Sequence, residues 1–196
     1  MARAAAGSVV DTGSELDAPL VLQCVRGDDA AWRSLHMQYY PVTVAFLRKL
    51  GVGDDDIDDA GQEVFLQMHR YLASFRGESE LKTWLYRLCI TEARRVRRRR
   101  RIGDGLRRLL TLSPPSSLLS SPPFCEHSAQ RRVSAALDAL TENERSVLVL
   151  YELEGLPGKQ IAEVLGCKEA TLWRRLHYAR KRFLALMEDT NVEDRP

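Results

Sequence analysis

Thr83, Arg87, Thr91, Arg94, Arg98 and Arg101 recur at steps of three and four residues, the spacing that brings side chains onto one face of an α-helix. Hydroxyls lead this stripe and guanidinium groups follow, a chemistry suited to holding a nucleic-acid strand, with hydroxyls near bases and cations on phosphates. Arg97 to Arg101 taken alone would read as a solvated run or a localisation signal. Their continuity with the helix TWLYRLCITEA favours a working face instead. A second set, Lys168, Thr171, Arg174, Arg175, Tyr178, Lys181 and Arg182, places cations, a hydroxyl and an aromatic on one side of another helix. Those are the groups that contact phosphates and base edges in a major groove. The blander alternative is a helical hairpin with a solvated basic face.

The elements that must position these sets are helical throughout. Apolar residues recur at helical spacing almost everywhere and no strong period-two run appears, which predicts an all-α protein. A first helix is expected from about Asp17 or Ala18. A second, Ala30 to Leu50, buries Trp32, Leu35, Tyr39, Val42, Phe46 and Leu50 despite Pro41, and a third, about Ile57 to Ala73, buries Ile57, Val64, Phe65, Met68 and Leu72. Gly51 and Gly53 separate them, and the aspartates that follow suit the positive end of a helix. The fourth helix packs through Leu81, Trp84, Leu85 and Leu88 on the face opposite the hydroxyl and arginine stripe.

The stretch GDGLRRLLTLSPPSSLLSSPPF breaks this pattern with four prolines and five serines. It predicts a flexible linker over 103–128, between one helical domain at 16–102 and another at 129–188. The 16 residues from Ser113 to Ser128 could span up to about 50 Å. In the second domain Thr141 and Glu144 fit a capping box ahead of a helix closed by Gly155. A short helix, Pro157 to Leu165, directs Ile161, Ala162 and Leu165 inward, Gly166 turns the chain, and a long helix runs from Lys168 to Met187. Its Leu172, Leu176, Ala179, Phe183 and Met187 form one apolar stripe, completing a helix-turn-helix pattern.

Charge sorts along the chain although the net is only +2 over 196 residues. Residues 1–63 carry 5 basic and 11 acidic side chains, 64–112 carry 13 and 4, and 113–196 carry 11 and 12. The middle calls for an anionic partner. The four cysteines are scattered without paired spacing, which favours a reducing compartment. No apolar run approaches a membrane span and the N-terminus lacks a signal-peptide core, so a soluble cytoplasmic chain is expected. Cys125 and His127 are close, but the other cysteines and His36, His69 and His177 lack ligand spacing, and no Walker loop, GxSxG or HExxH occurs. No metal, cofactor or catalytic constellation is therefore expected, and any enzymatic chemistry belongs to a partner.

LTENERSVLVLYELEGLPGKQIAEVLGCKEATLWRRLHYARKRF resembles region 4 of bacterial sigma factors, and the acidic QEVF helix, the FRGES turn and the TWLYR helix, in that order, resemble region 2 of the extracytoplasmic-function (ECF) group. The likeness implies a two-domain sigma factor that binds core RNA polymerase and directs initiation at particular promoters, under the control of an anti-sigma factor that is often membrane-bound. It implies minus-35 recognition by Lys168, Thr171, Arg174, Arg175, Tyr178 and Arg182, and minus-ten recognition and melting by Phe75, Arg76, Lys82, Thr83, Arg87, Thr91, Arg94, Arg95 and Arg98. Phe75 and Thr91 would line a pocket for a flipped base. Asp58, Asp59, Gln62, Glu63 and Leu66 would dock on the β′ clamp helices, while the β flap is a further polymerase contact. The chain departs from the family at Thr91, where many relatives have asparagine, at Pro157 to Gln160, and at Trp173, where lysine or arginine is common. Two alternatives stay open at this level: a stand-alone DNA-binding regulator, and a sigma-like chain that binds polymerase or a regulator without melting DNA.

Overall fold

The computed structural model describes residues 13–77, 79–110 and 126–193, with side chains described over 17–77, 79–103 and 131–188. The described residues form eight α-helices and no strand: α1 (Gly13–Val25), α2 (Asp29–Lys49), α3 (Asp54–Tyr71), α4 (Leu81–Leu110), α5 (Glu126–Ala139), α6 (Glu142–Leu148), α7 (Gly158–Leu165) and α8 (Glu169–Glu193). A 3₁₀ turn, Leu72–Ser74, ends α3, and a π-helical turn, Val149–Leu153, extends α6.

The first four helices form one packed unit because each presents an apolar stripe of the expected period. Asp28 caps α2, its carboxylate accepting from the Ala30 and Ala31 amides at 2.8 and 3.2 Å, which satisfies two of the donors orphaned at a helix start. From there Leu35, Tyr39, Phe46 and Leu47 face Ile57, Val64 and Met68 of α3 and Leu81, Leu85 and Cys89 of α4, all buried. Trp32 and Val42, expected in this core, are half-buried against it. Pro41 sits on the exposed side of α2, so the helix runs on through it.

The second unit assembles around α6. Thr141 and Glu144 make the expected capping box, after which Val147, Leu148, Val149 and Leu150 pack into Leu137, Leu140, Ile161, Leu172 and Leu176. The helix predicted to run unbroken to Gly155 instead widens into the π turn. The Glu154 amide then bonds the Val149 carbonyl and the Leu156 amide that of Leu150. Between α7 and α8, Gly166 takes the left-handed conformation at φ 61°. A side chain there would be strained, which is why glycine makes this turn.

Helix boundaries differ from expectation at several places. α4 passes the composition break at Gly103 and ends at Leu110, so the linker expected from Gly103 starts later; α5 begins at Glu126 rather than Ala129. The proline- and serine-rich residues 111–125 lie outside the described residues. α1 starts at Gly13, and α8 continues to Glu193, beyond Met187.

Candidate nucleic-acid interface

The helix-turn-helix presents α8 as a two-sided rod. Leu172, Leu176 and Ala179 are at most 1% exposed, which leaves Lys168, Arg174, Tyr178, Lys181 and Arg182 exposed and Thr171 and Arg175 half-buried at the edge. Arg182 is tethered 3.4 Å from Glu144. Burial raises the pKa of that carboxyl, but hydrogen bonds from Thr141 and the charge of Arg182 outweigh it and hold the group below its ordinary value. Among the described residues Arg174 has no such carboxylate partner, and with Lys168, Tyr178 and Lys181 it is exposed and open to a ligand.

Trp173, on the opposite shoulder of α8, is 44% exposed. Its ring meets Tyr151 edge-on at a centroid distance of 5.6 Å, and Arg180 covers the other ring at 5.1 Å. The indole also closes over Gly158 at the start of α7, where an added Cβ would lie 2.5 Å from Trp173 Cζ2. The tryptophan therefore sets the spacing between α7 and α8, and glycine is the side chain that spacing permits. Gly158→Ala is expected to destabilise the second unit by roughly 1–3 kcal/mol through overpacking. Combining it with Trp173→Ala should recover most of the loss attributable to Gly158, a non-additivity readable from thermal melts of the four variants.

The arginine helix is divided among three directions. On the side facing α3, Glu92 is fully buried and takes Arg95 through two bonds at 2.7 and 2.8 Å. That hydrogen bonding raises the Arg95 pKa. Arg95, expected among the strand contacts, thus neutralises a buried carboxylate about 100° around the helix from Arg94. Arg100 pairs with Asp56 and lies 3.6 Å from Asp55, while Arg48 reaches Asp54 at 3.3 Å. The aspartates at the start of α3 therefore have partners within the chain. Asp58, Asp59, Gln62 and Leu66 are exposed together on the next turns of α3, with Glu63 half-buried beside them and accepting from Gln67 at 3.4 Å.

The stripe from Thr83 to Arg101 faces the second unit. Thr83, expected as a strand contact, is only 4% exposed: it is buried beside Tyr86, in a cleft closed by Glu154, Leu156 and Gln160. Arg87 donates to the Glu163 carbonyl at 2.7 Å and Arg94 to Asn143 Oδ1 at 3.2 Å. Arg98 is exposed, and Thr91, also exposed, donates its hydroxyl back to the Arg87 carbonyl at 2.9 Å. Phe75 is half-buried against the Trp84 ring at 5.6 Å, about 10 Å of helix rise from Thr91. Arg76 and Lys82 are exposed, Lys82 over the Tyr86 ring at 5.6 Å.

Several polar residues at this junction were not singled out by pattern. Arg97 reaches Asp138 at 2.9 Å and the Gly51 carbonyl at 3.2 Å, Glu154 holds Lys49 at 2.7 Å and also accepts from the Tyr86 hydroxyl, and Arg145 is buried. Burial, followed by the hydrogen bond to Glu154, pushes the Tyr86 phenol well above its ordinary pKa. For Arg97 and Arg145 the only sequence signal was an excess of arginine, and for Lys49, Tyr86 and Glu154 there was none. Elsewhere on the second unit, Val133, Leu137, Leu148, Leu153, Phe183 and Leu184 line an open apolar groove of about 270 Å³. Among the described residues no three His, Cys, Asp or Glu side chains converge as a metal site requires, and no helix is long and apolar enough to cross a membrane.

Comparison with known proteins attaches families to both units. Residues 35–102 match the family model Sigma-70 region 2, and residues 130–183 match Sigma-70, region 4. The ECF RNA polymerase sigma-E factor of Haemophilus influenzae is 31% identical over 182 residues, covering 84% of this chain and 92% of that protein. The protein of the same name in Escherichia coli K12 is 30% identical over 184 residues, covering 84% and 91%. Among solved structures, CnrH in complex with the cytosolic domain of CnrY is similar at a TM-score of 0.66 and 22% identity, over 88% of this chain and 97% of that one. The sigma factor RpoE in complex with the anti-sigma factor NepR, from Bartonella quintana, is similar at 0.61 and 21%, over 80% and 96%.

Proposed function

This chain belongs to the sigma-70 family, in its extracytoplasmic-function group, and from that premise we propose that it binds core RNA polymerase and directs initiation at a particular set of promoters. The observation that carries this reading is the presence of both regions, in family order, on one chain that aligns along nearly the whole of its sigma-E relatives. A stand-alone helix-turn-helix regulator would account for region 4 and leave region 2 without a role.

The parts divide as follows. α8 enters the minus-35 major groove, with Arg174 and Lys168 toward base edges and phosphates, Tyr178 beside them, and Thr171, Arg175 and Arg182 at the border. The exposed members of the α4 stripe, with Phe75, Arg76 and Lys82 at its start, hold the minus-ten strand as it opens. The α3 face of Asp58, Asp59, Gln62, Glu63 and Leu66 docks on basic residues of the β′ clamp helices, and the apolar groove of region 4 receives the β flap. The polymerase supplies the catalytic chemistry, the setting is the cytoplasm, and by analogy with the RpoE and NepR pair an anti-sigma factor controls the chain.

Run-off transcription with purified core polymerase on fragments of the source genome tests the reading. Specific transcripts that depend on this chain are expected. Duplex binding without any initiation would replace the proposal with the regulator reading. In the same assay Arg174→Ala should reduce discrimination at the upstream element by about 1–3 kcal/mol, the range for a lost base-edge contact. Unchanged promoter preference would remove Arg174 from the contact set.

A further inference from the structure

The cleft that buries Thr83 encloses about 200 Å³, with Lys82, Thr83 and Tyr86 on one wall and Leu156, Pro157 and Gln160 on the other. Here α4 and α7 run side by side in one direction, since Thr83 and Gln160 share the cleft and Arg87, one turn on, bonds the Glu163 carbonyl. Both helices therefore bring their N-terminal ends to it. The first helical bonds run from Trp84 to Glu80 and from Ile161 to Pro157, so the amides ahead of Trp84 and Ile161 find no acceptor within their own helices. Pro157 caps α7 without a side-chain hydrogen bond. It also opens the stretch Pro157 to Gln160, where the chain departs from its family. A second observation points to a ligand. Thr83 is 4% exposed and lines this cleft, and among the described residues its hydroxyl makes no hydrogen bond. Native folds leave few buried polar groups without a partner.

We propose that this cleft is a binding site for the phosphate group of a small phosphomonoester, held by the α7 N-terminus, the Thr83 hydroxyl, the Gln160 amide and the Lys82 ammonium. Helix N-termini attract anions through their outward amides and the macrodipole, and Lys82, exposed where it lines the cleft, adds a cation. Two carboxylates stand at the same cleft, but both are engaged. Glu154 takes Lys49 at 2.7 Å and the Tyr86 hydroxyl, and Glu80 has a partner of its own. The donors outnumber what the two oxygens of a carboxylate accept at close range and suit the three terminal oxygens of a phosphomonoester. The volume leaves room for a short carbon chain beyond the phosphate. Because its walls come from both units, the site is distinct from the exposed part of the α4 stripe assigned to a promoter strand, and it does not depend on the sigma reading.

Titration of the full-length chain with glycerol 3-phosphate, followed by calorimetry and by amide nitrogen–proton resonances, tests the site. Saturable one-to-one binding is expected, with shifts at Thr83 and at Gly158 to Gln160, and inorganic phosphate should bind more weakly at the same amides. Thr83→Val should weaken binding by about ten-fold or more, the range for a hydrogen bond lost to a charged group. The same substitution should raise the melting temperature of the ligand-free chain, because it removes a buried hydroxyl that has no partner. A residue that only supports the fold would not give poorer binding together with higher stability. Thr83→Ser keeps the hydroxyl and should keep most of the affinity. The site is overturned by absence of saturable binding of the ester, by shifts confined to the α4 arginines beyond Arg87, or by a Thr83→Val chain that melts lower or binds equally well. Tighter, equally Thr83-dependent binding of an oligothymidylate without terminal phosphates would assign the cleft to nucleic acid and overturn it too. No arm uses polymerase, so failure here leaves the sigma reading standing, and failure of run-off transcription leaves this site standing.

Discussion

Arg145→Ala should be among the most destabilising single substitutions in this chain, costing about 3–5 kcal/mol, the range for removing one member of a buried charged network. Arg145 is 1% exposed. Its Nε donates to the Leu137 carbonyl at 2.6 Å and its Nη1 to the Leu50 carbonyl at 2.9 Å, so one side chain serves a carbonyl from each unit. Alanine would leave both carbonyls without that donor and open a void the size of a guanidinium and its stem. A partial offset is present: burial, then the charge of Arg97, lowers the Arg145 pKa to about 10. A base whose folded pKa is depressed makes folding pay for its charge below that value. That cost is fully present at neutral pH and is relieved only as pH rises through about 10. Arg145→Lys keeps the charge but loses the planar fork, and should recover only part of the stability. Urea denaturation followed by circular dichroism measures both; a loss under about 1 kcal/mol for alanine would mean that water replaces the lost donors.

Arg94→Ala combined with Arg98→Ala is expected to impair open-complex formation strongly, most at low salt and less as salt rises, while leaving core polymerase binding intact. Two cations removed from a single-stranded contact should flatten the dependence of log affinity on log salt by about 1.4. The structure sharpens the choice of residues. Arg94 and Arg98 lie on the stripe, and the bond from Arg94 to Asn143 is made to an uncharged amide at an exposed position. Arg95, its sequence neighbour, is committed to Glu92. Arg95→Ala should instead destabilise region 2 by leaving a buried carboxylate uncompensated, with little change in the salt slope. Promoter opening measured against ionic strength for the two variants separates these outcomes. Loss of core binding in the Arg94 and Arg98 variant would count against the assignment of this face.

Much of the design was legible in the order of the residues. The stripes of α2, α3, α4 and α8 follow from apolar side chains three and four apart, and helix formation depends on neighbours within a turn, so local spacing sufficed. The capping box at Thr141 and the turn at Gly166 were equally local. Where local signals misled, the competing terms were small. Gly103 and Gly105 disfavour helix by about 1 kcal/mol each, yet α4 continues past them to Leu110.

The sequence by itself determined an all-helical chain with two cationic helices and the family to which it belongs. Only the tertiary structure decided which polar residues on those helices are available. Thr83 and Arg87 occupy the same predicted face, but one is buried in the cleft closed by Glu154 and the other is bonded to Glu163. Arg94 and Arg95 are adjacent and identical, and one meets Asn143 while the other meets Glu92. Helical periodicity sorts residues by angle around their own axis. Whether a given angle meets water or another domain depends on segments 49 to 76 positions away along the chain, and no local spacing encodes that.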